Sequence, residues 1–121
     1  MQPCRLLIAD GDSDAAHAIE SLLQFEADIE VIGVASTLEE TIERAAETLP
    51  DVLLLDGQFA RGGLERALTR LDAVAPATTV LLLLVHHGDA VEATEAGVGA
   101  WLMKDAGRDE ILGAIRRHAT G

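Results

Sequence analysis

A chain of 121 residues, 49% apolar and 25% charged, has the size and composition of one globular domain spanning residues 1–121, which excludes disordered and fibrous classes. The formal net charge of −12, with two Phe, one Trp and no Tyr, argues against direct nucleic-acid binding by this segment, because phosphate repels acid and bases find little aromatic surface to stack on. The longest apolar run, residues 80–85, is far short of the roughly 20 residues that cross a bilayer, and no signal-peptide core is visible, so a cytoplasmic location without a membrane partner is expected.

The first element is a β-rich apolar run over residues 5–9. Cys4 beside it is the sole cysteine, so no internal disulfide is available, and it reads as a small buried hydrophobe. Residues 13–25 carry Ala16, Ile19, Leu22 and Leu23 at helical spacing behind a Ser or Asp cap. A strand over 30–35 follows, then a helix over 37–49 in which Thr37 and Glu40 make a capping box, Ile42, Ala45, Ala46 and Leu49 share a face, and Pro50 marks the stop. Further strands are predicted at 52–55, 79–85 and 100–103, with helices at 63–74, 89–96 and 108–119. The last helix turns Ile111, Leu112 and Ile115 inward and ends on Arg116, Arg117 and His118, where the macrodipole favours positive charge.

Strands that are apolar at nearly every position, alternating with helices over short connections, predict an α/β fold. The expected form is a flavodoxin-like doubly wound (βα)5 sandwich with a five-stranded parallel sheet of order 2-1-3-4-5. Ligands of such sheets sit beyond the carboxyl ends of the strands. That rule selects Asp10, Gly11 and Asp12 after strand one, Asp56 at the end of strand three, Leu84, His86 and His87 at or after strand four, and Lys104 after strand five. Carboxylates gathered at one edge repel each other unless a cation holds them. Lys104 could pair with Asp56, and a hard ion such as Mg²⁺ would take carboxylate oxygens. The adjacent His86 and His87 diverge and read as a solvated loop pair rather than a metal site.

The segments Asp28-Ile-Glu-Val-Ile-Gly33, Leu49-Pro50-Asp51-Val-Leu-Leu-Leu-Asp56, Glu95-Ala-Gly97, Trp101-Leu-Met-Lys104-Asp105-Ala106 and Glu110-Ile-Leu-Gly-Ala-Ile-Arg116 together resemble the response-regulator receiver domain of two-component signalling, in its LuxR/NarL-type subgroup. The resemblance covers almost the whole chain. It implies that Asp56 is the phosphoacceptor for a sensor histidine kinase, that Lys104 contacts the phosphoryl group, and that Mg²⁺ is held by Asp10, Asp56 and the backbone carbonyl of Gln58. It further implies switch positions at Leu84 and Trp101, dimer contacts through the last helix, and a helix-turn-helix output domain outside this segment that would bind DNA. Such a domain is a signalling module and not an enzyme.

Several residues depart from that pattern. Gly11 stands where the family has the second acidic metal ligand, with Asp12 next to it as the one nearby substitute. Strand four ends on leucines, and neither Leu82 nor Leu84 can donate to a phosphoryl oxygen as the family's Ser or Thr does. Two residues are missing before the fourth helix. Gly57-Gln58-Phe59-Ala60 replaces the family's apolar-Pro turn after the acceptor, and Trp101 reads as a packing or interface residue. These departures predict an atypical receiver with weak or absent Mg²⁺ that signals through protein contacts. A fully competent phosphoacceptor is the alternative. A flavodoxin-like cofactor carrier is disfavoured, because the acidic loop Asp10-Gly-Asp-Ser-Asp14 would repel a cofactor phosphate.

Overall fold

All five apolar runs become strands. In the computed structural model, which describes residues 2–60, 63–86, 88–98 and 100–119, they are β1 (Cys4–Ala9), β2 (Ile29–Ala35), β3 (Val52–Asp56), β4 (Thr79–Leu84) and β5 (Trp101–Met103). Every pairing is parallel, and the order is β2-β1-β3-β4-β5. The helices are α1 (Ser13–Leu23), α2 (Leu38–Thr48), α3 (Leu64–Val74), α4 (Asp89–Glu95) and α5 (Arg108–His118), and a 3₁₀ turn covers Gly57–Ala60.

Alternate strand residues leave the sheet on opposite faces, so β1, β3 and β4 feed two separate cores. Leu6, Ile8, Leu54, Leu81 and Leu83 pack with Ala16, Ile19 and Leu23 of α1 and Ile111, Leu112 and Ile115 of α5. Leu7, Leu53, Leu55, Leu82 and Leu84 pack with Ala45 of α2, Leu64, Ala67 and Leu71 of α3, and Ala93 of α4. Burial on both faces is why these strands read as continuous apolar runs.

Element ends depart from the predicted spans where local chemistry intervenes. The N-cap of α1 is Asp12, whose side chain accepts from the Asp14 and Ala15 N–H groups. This helix closes at Leu23, which leaves Phe25 outside it and 87% exposed. At α2 the Thr37 hydroxyl accepts from Glu40 N–H as expected, at 3.1 Å, but the return arm of the box reaches Ser36 N–H instead. The same helix ends on Leu49 in the left-handed region, φ 47°, one residue before Pro50. Arg5 then donates to the freed carbonyls of Thr48 and Leu49.

Arg116 lies in the last turn of α5, as expected, and also reaches across to the neighbouring connection. Its guanidinium donates to both carboxylate oxygens of Asp28, at 2.7 and 3.0 Å, and to Glu26 at 2.8 Å, and Arg108 also donates to Glu26. This cluster ties α5 to the α1–β2 connection. The hydrogen bond from Arg116 holds the Asp28 carboxyl below the usual carboxylate range, and the two acids hold Arg116 above its own ordinary value.

Candidate functional site

Three side chains far apart in sequence meet at the carboxyl edge of the sheet. Asp10 follows β1, where its N–H donates to the Ala35 carbonyl of β2 at 2.9 Å. Asp56 is the last residue of β3, opposite Leu83 of β4. Lys104 follows β5 and is held there by its own N–H, which donates to the Leu84 carbonyl at 2.7 Å. Its ammonium donates to Asp10 Oδ1 at 3.0 Å and Asp56 Oδ2 at 3.3 Å, and sits 2.9 Å from Asp10 Oδ2. Because Asp10 is fully buried and Asp56 is 3% exposed, this one cation faces two desolvated carboxylates.

The remaining oxygens are partly satisfied by the local backbone. Asp12 N–H donates to Asp10 Oδ1 and Gln58 N–H to Asp56 Oδ1, at 2.9 and 3.0 Å. Asp10 Oδ2 meets the ammonium as an ion pair, and it is a buried side-chain oxygen without an aligned hydrogen bond. Burial opposes the charge on Lys104, yet its hydrogen bond to Asp10 and the charges of Asp56 and Asp10 outweigh it, so the lysine sits above its ordinary pKa.

Other residues selected from the sequence fall around this trio in different ways. The Asp12 side chain is occupied as the cap of α1. Gln58 is exposed, within the 3₁₀ turn. Leu84 is buried on the α2–α3–α4 side of the sheet, and Trp101, opposite Leu82 in register, is 40% exposed. His86 is exposed, and His87 lies outside the described residues.

Two contacts were not anticipated. A Cβ added at Gly11 would lie 3.0 Å from Cε1 and 3.7 Å from Cζ of Phe59, so an aromatic ring stands where a side chain from position 11 would go. A Cβ at Gly57 would lie 2.9 Å from the Leu83 carbonyl oxygen and 3.1 Å from Leu84 Cδ2. The hollow between Gly57, Leu64 and Leu84 is about 50 Å³, room for a water or two. The signal for both contacts was present in the sequence as glycines beside key acids, but a missing side chain does not reveal which neighbour takes its place.

Comparison with known proteins gives a consistent result. A family model described as the response regulator receiver domain matches residues 6–116. The transcriptional regulatory protein LnrK of Bacillus subtilis (strain 168) is 28% identical over 113 residues, 92% of this chain and 51% of that protein. The response regulator protein VraR of Staphylococcus aureus is 28% identical over 119 residues, 97% of this chain and 57% of VraR. The chain therefore spans about half the length of the curated relatives it matches. Among solved structures, the signal receiver domain of a NarL response regulator from Mycobacterium tuberculosis superposes with a TM-score of 0.81 at 25% identity, covering 100% of this chain and 99% of that one. The response regulator domain of Thermotoga maritima CheB, at 23% identity and a TM-score of 0.83 over 99% and 98% of the two chains, shares the fold.

Proposed function

Because the chain belongs to the response regulator receiver domain family, we propose that it is an atypical signal-receiving module, with Asp56 as its input position and protein contacts as its output. Mg²⁺-dependent phosphotransfer to Asp56 is weakened in this reading. The observation that carries it is a Gly11 whose side-chain space is met by the ring of Phe59, so that no carboxylate enters the pocket from that position.

Mg²⁺ demands near-octahedral oxygen ligation. Asp10 Oδ2 is the oxygen best placed to serve it, since it lacks an aligned donor. Asp12 is committed to capping α1, and among the described residues no cluster of three or more metal-ligating side chains forms at the site. The residues present do not fit a firmly held cation, so the pocket's electrostatics rest on Lys104. If Asp56 is modified at all, Lys104 is the group that would contact the added phosphoryl, while Leu84 offers that group no hydroxyl.

The partner class that fits is a sensor histidine kinase or another signalling protein that docks on the rim of this pocket. An output domain of the helix-turn-helix, DNA-binding kind would lie outside the chain, and pairing with a second copy through α5 is consistent with the subgroup. No enzymatic activity of its own and a cytoplasmic location complete the reading; no helix among the described residues is long and apolar enough to cross a membrane. A fully competent phosphoacceptor is the second reading, favoured by the retained trio of Asp10, Asp56 and Lys104.

Intact-mass spectrometry after incubation with Mg²⁺ and acetyl phosphate separates the two. Slow, partial labelling, together with a modest change in signalling output for Asp56→Asn, is the expected result. Rapid stoichiometric labelling that Asp56→Asn abolishes would overturn the atypical reading in favour of the second.

A further inference from the structure

Position 11 is not an empty space left by a lost ligand. The ring of Phe59 lies against it, with Cε1 at 3.0 Å from the place of a Cβ and the Ser36 carbonyl oxygen at 3.8 Å. Phe59 is half-buried against the apolar layer formed with α2 and α3, so the ring is packed rather than free to swing. It is also tied to the acceptor: the 3₁₀ turn that carries it is pinned by Gln58 N–H, which donates to Asp56 Oδ1 at 3.0 Å.

We propose that Phe59 is a plug paired with Gly11, filling the position from which a third carboxylate would enter the pocket and thereby determining that Lys104, not a divalent cation, neutralises Asp10 and Asp56. The proposal rests on the atypical reading above and adds the residue that enforces it. A contact of 3.0 Å between a Cβ and a ring carbon is tighter than most real packing, so even a methyl at position 11 requires the ring to give, and a carboxylate reaching further requires more. Supplying the missing carboxylate alone therefore does not rebuild the site. The ring must be removed as well.

The test compares the parent chain with Gly11→Asp, Phe59→Ala and the double variant, reading Mg²⁺ binding by calorimetry. The parent and Phe59→Ala should bind weakly, Gly11→Asp should gain little, and the double variant should bind about tenfold or more tightly than Gly11→Asp, the usual scale for an interaction supporting a metal ligand. Gly11→Asp binding as tightly as the double variant, with a weak parent, would overturn the plug alone. A parent that binds Mg²⁺ as tightly as the double variant would instead sink the atypical reading on which the plug depends. A second measurement needs no metal. Gly11→Ala should lower the urea midpoint clearly in the parent and much less in a Phe59→Ala background, whereas equal shifts in both backgrounds would show that the ring does not hold that space.

Discussion

Replacing Lys104 by methionine keeps most of its apolar stem and removes its charge. Asp10 and Asp56, 0% and 3% exposed, would then face each other without a cation. At an effective dielectric of 20, unit charges separated by the observed 2.9 and 3.3 Å attract by about 5–6 kcal/mol each. Most of that attraction only offsets the burial of the ions, and deleting one member of a buried pair costs about 3–5 kcal/mol. Domains of this kind are stable by about 5–15 kcal/mol, so Lys104→Met should remove about a fifth or more of the total and lower the melting temperature by roughly 10–20 °C. Adding Asp56→Asn to Lys104→Met should recover part of the loss, because it removes one of the two stranded charges, with a coupling of about 1–3 kcal/mol. Urea unfolding followed by far-UV circular dichroism and by the fluorescence of Trp101 would measure both. The raised pKa of the lysine adds a pH signature: its contribution is complete below the ordinary value of 10.5 and is lost only as pH rises through the higher folded value. A Lys104→Met variant within about 1 kcal/mol of the parent, the ordinary range for a surface change, or strict additivity with Asp56→Asn, would refute the reasoning.

Gly57→Ala should cost about 1–3 kcal/mol, because the new methyl would meet the Leu83 carbonyl oxygen at 2.9 Å, a backbone atom that cannot turn away; an unchanged urea midpoint would mean that β3 and β4 tolerate a side chain between them. Cys4, with its pKa pushed up to about 11 by burial and by the charges of Asp51 and Asp28, should react with an aromatic disulfide reagent at pH 8 far more slowly in the folded chain than in urea. Its folded pKa lies above the unfolded one, so the unfolded state ionises first and stability should fall between about pH 9 and 11. Equal reaction rates in the two states would contradict the burial of Cys4.

The sheet was legible because its strands are apolar on both faces, and a covered parallel sheet buries runs such as Leu81 to Leu84 entirely. Strand order then placed Asp10, Asp56 and Lys104 at one edge, since each immediately follows or ends a strand. What stayed hidden depends on side-chain direction. Arg116 lies at the end of a helix, where the dipole alone would account for it; its partners Glu26 and Asp28 are some ninety positions away and carry no local pattern that points to it. Phe59 had no visible role because its position near Gly11 follows from a 3₁₀ turn that spacing does not announce. Asp12 could be read from the sequence both as the cap of the first helix and as a substitute ligand; the first turn of α1 needs an acceptor for its free N–H groups, and the carboxylate serves the cap.

The two glycines that follow Asp10 and Asp56 are hemmed in by different groups. If the carboxylate at position 11 had simply been lost, Gly11 would leave a void, at a cost of about 24 cal/mol for every Å³ left unfilled. Instead Phe59 abuts it, at 3.0 Å from where the Cβ would be, while Gly57 is closed off by the Leu83 carbonyl oxygen at 2.9 Å and Leu84 at 3.1 Å, beside a hollow of about 50 Å³. An aromatic ring therefore occupies the space beside Gly11, and a strand backbone the space beside Gly57. It follows that single substitutions toward the family pattern are the wrong experiment. A carboxylate at position 11 collides with Phe59, and a threonine in place of Leu84 gives up buried methyl groups while its hydroxyl enters an apolar layer with no designed partner. The polar pocket can be rebuilt at position 11 only by changing Gly11 and Phe59 together, whereas at Gly57 the Leu83 carbonyl oxygen, 2.9 Å from where a Cβ would be, excludes a side chain whatever stands at Leu84.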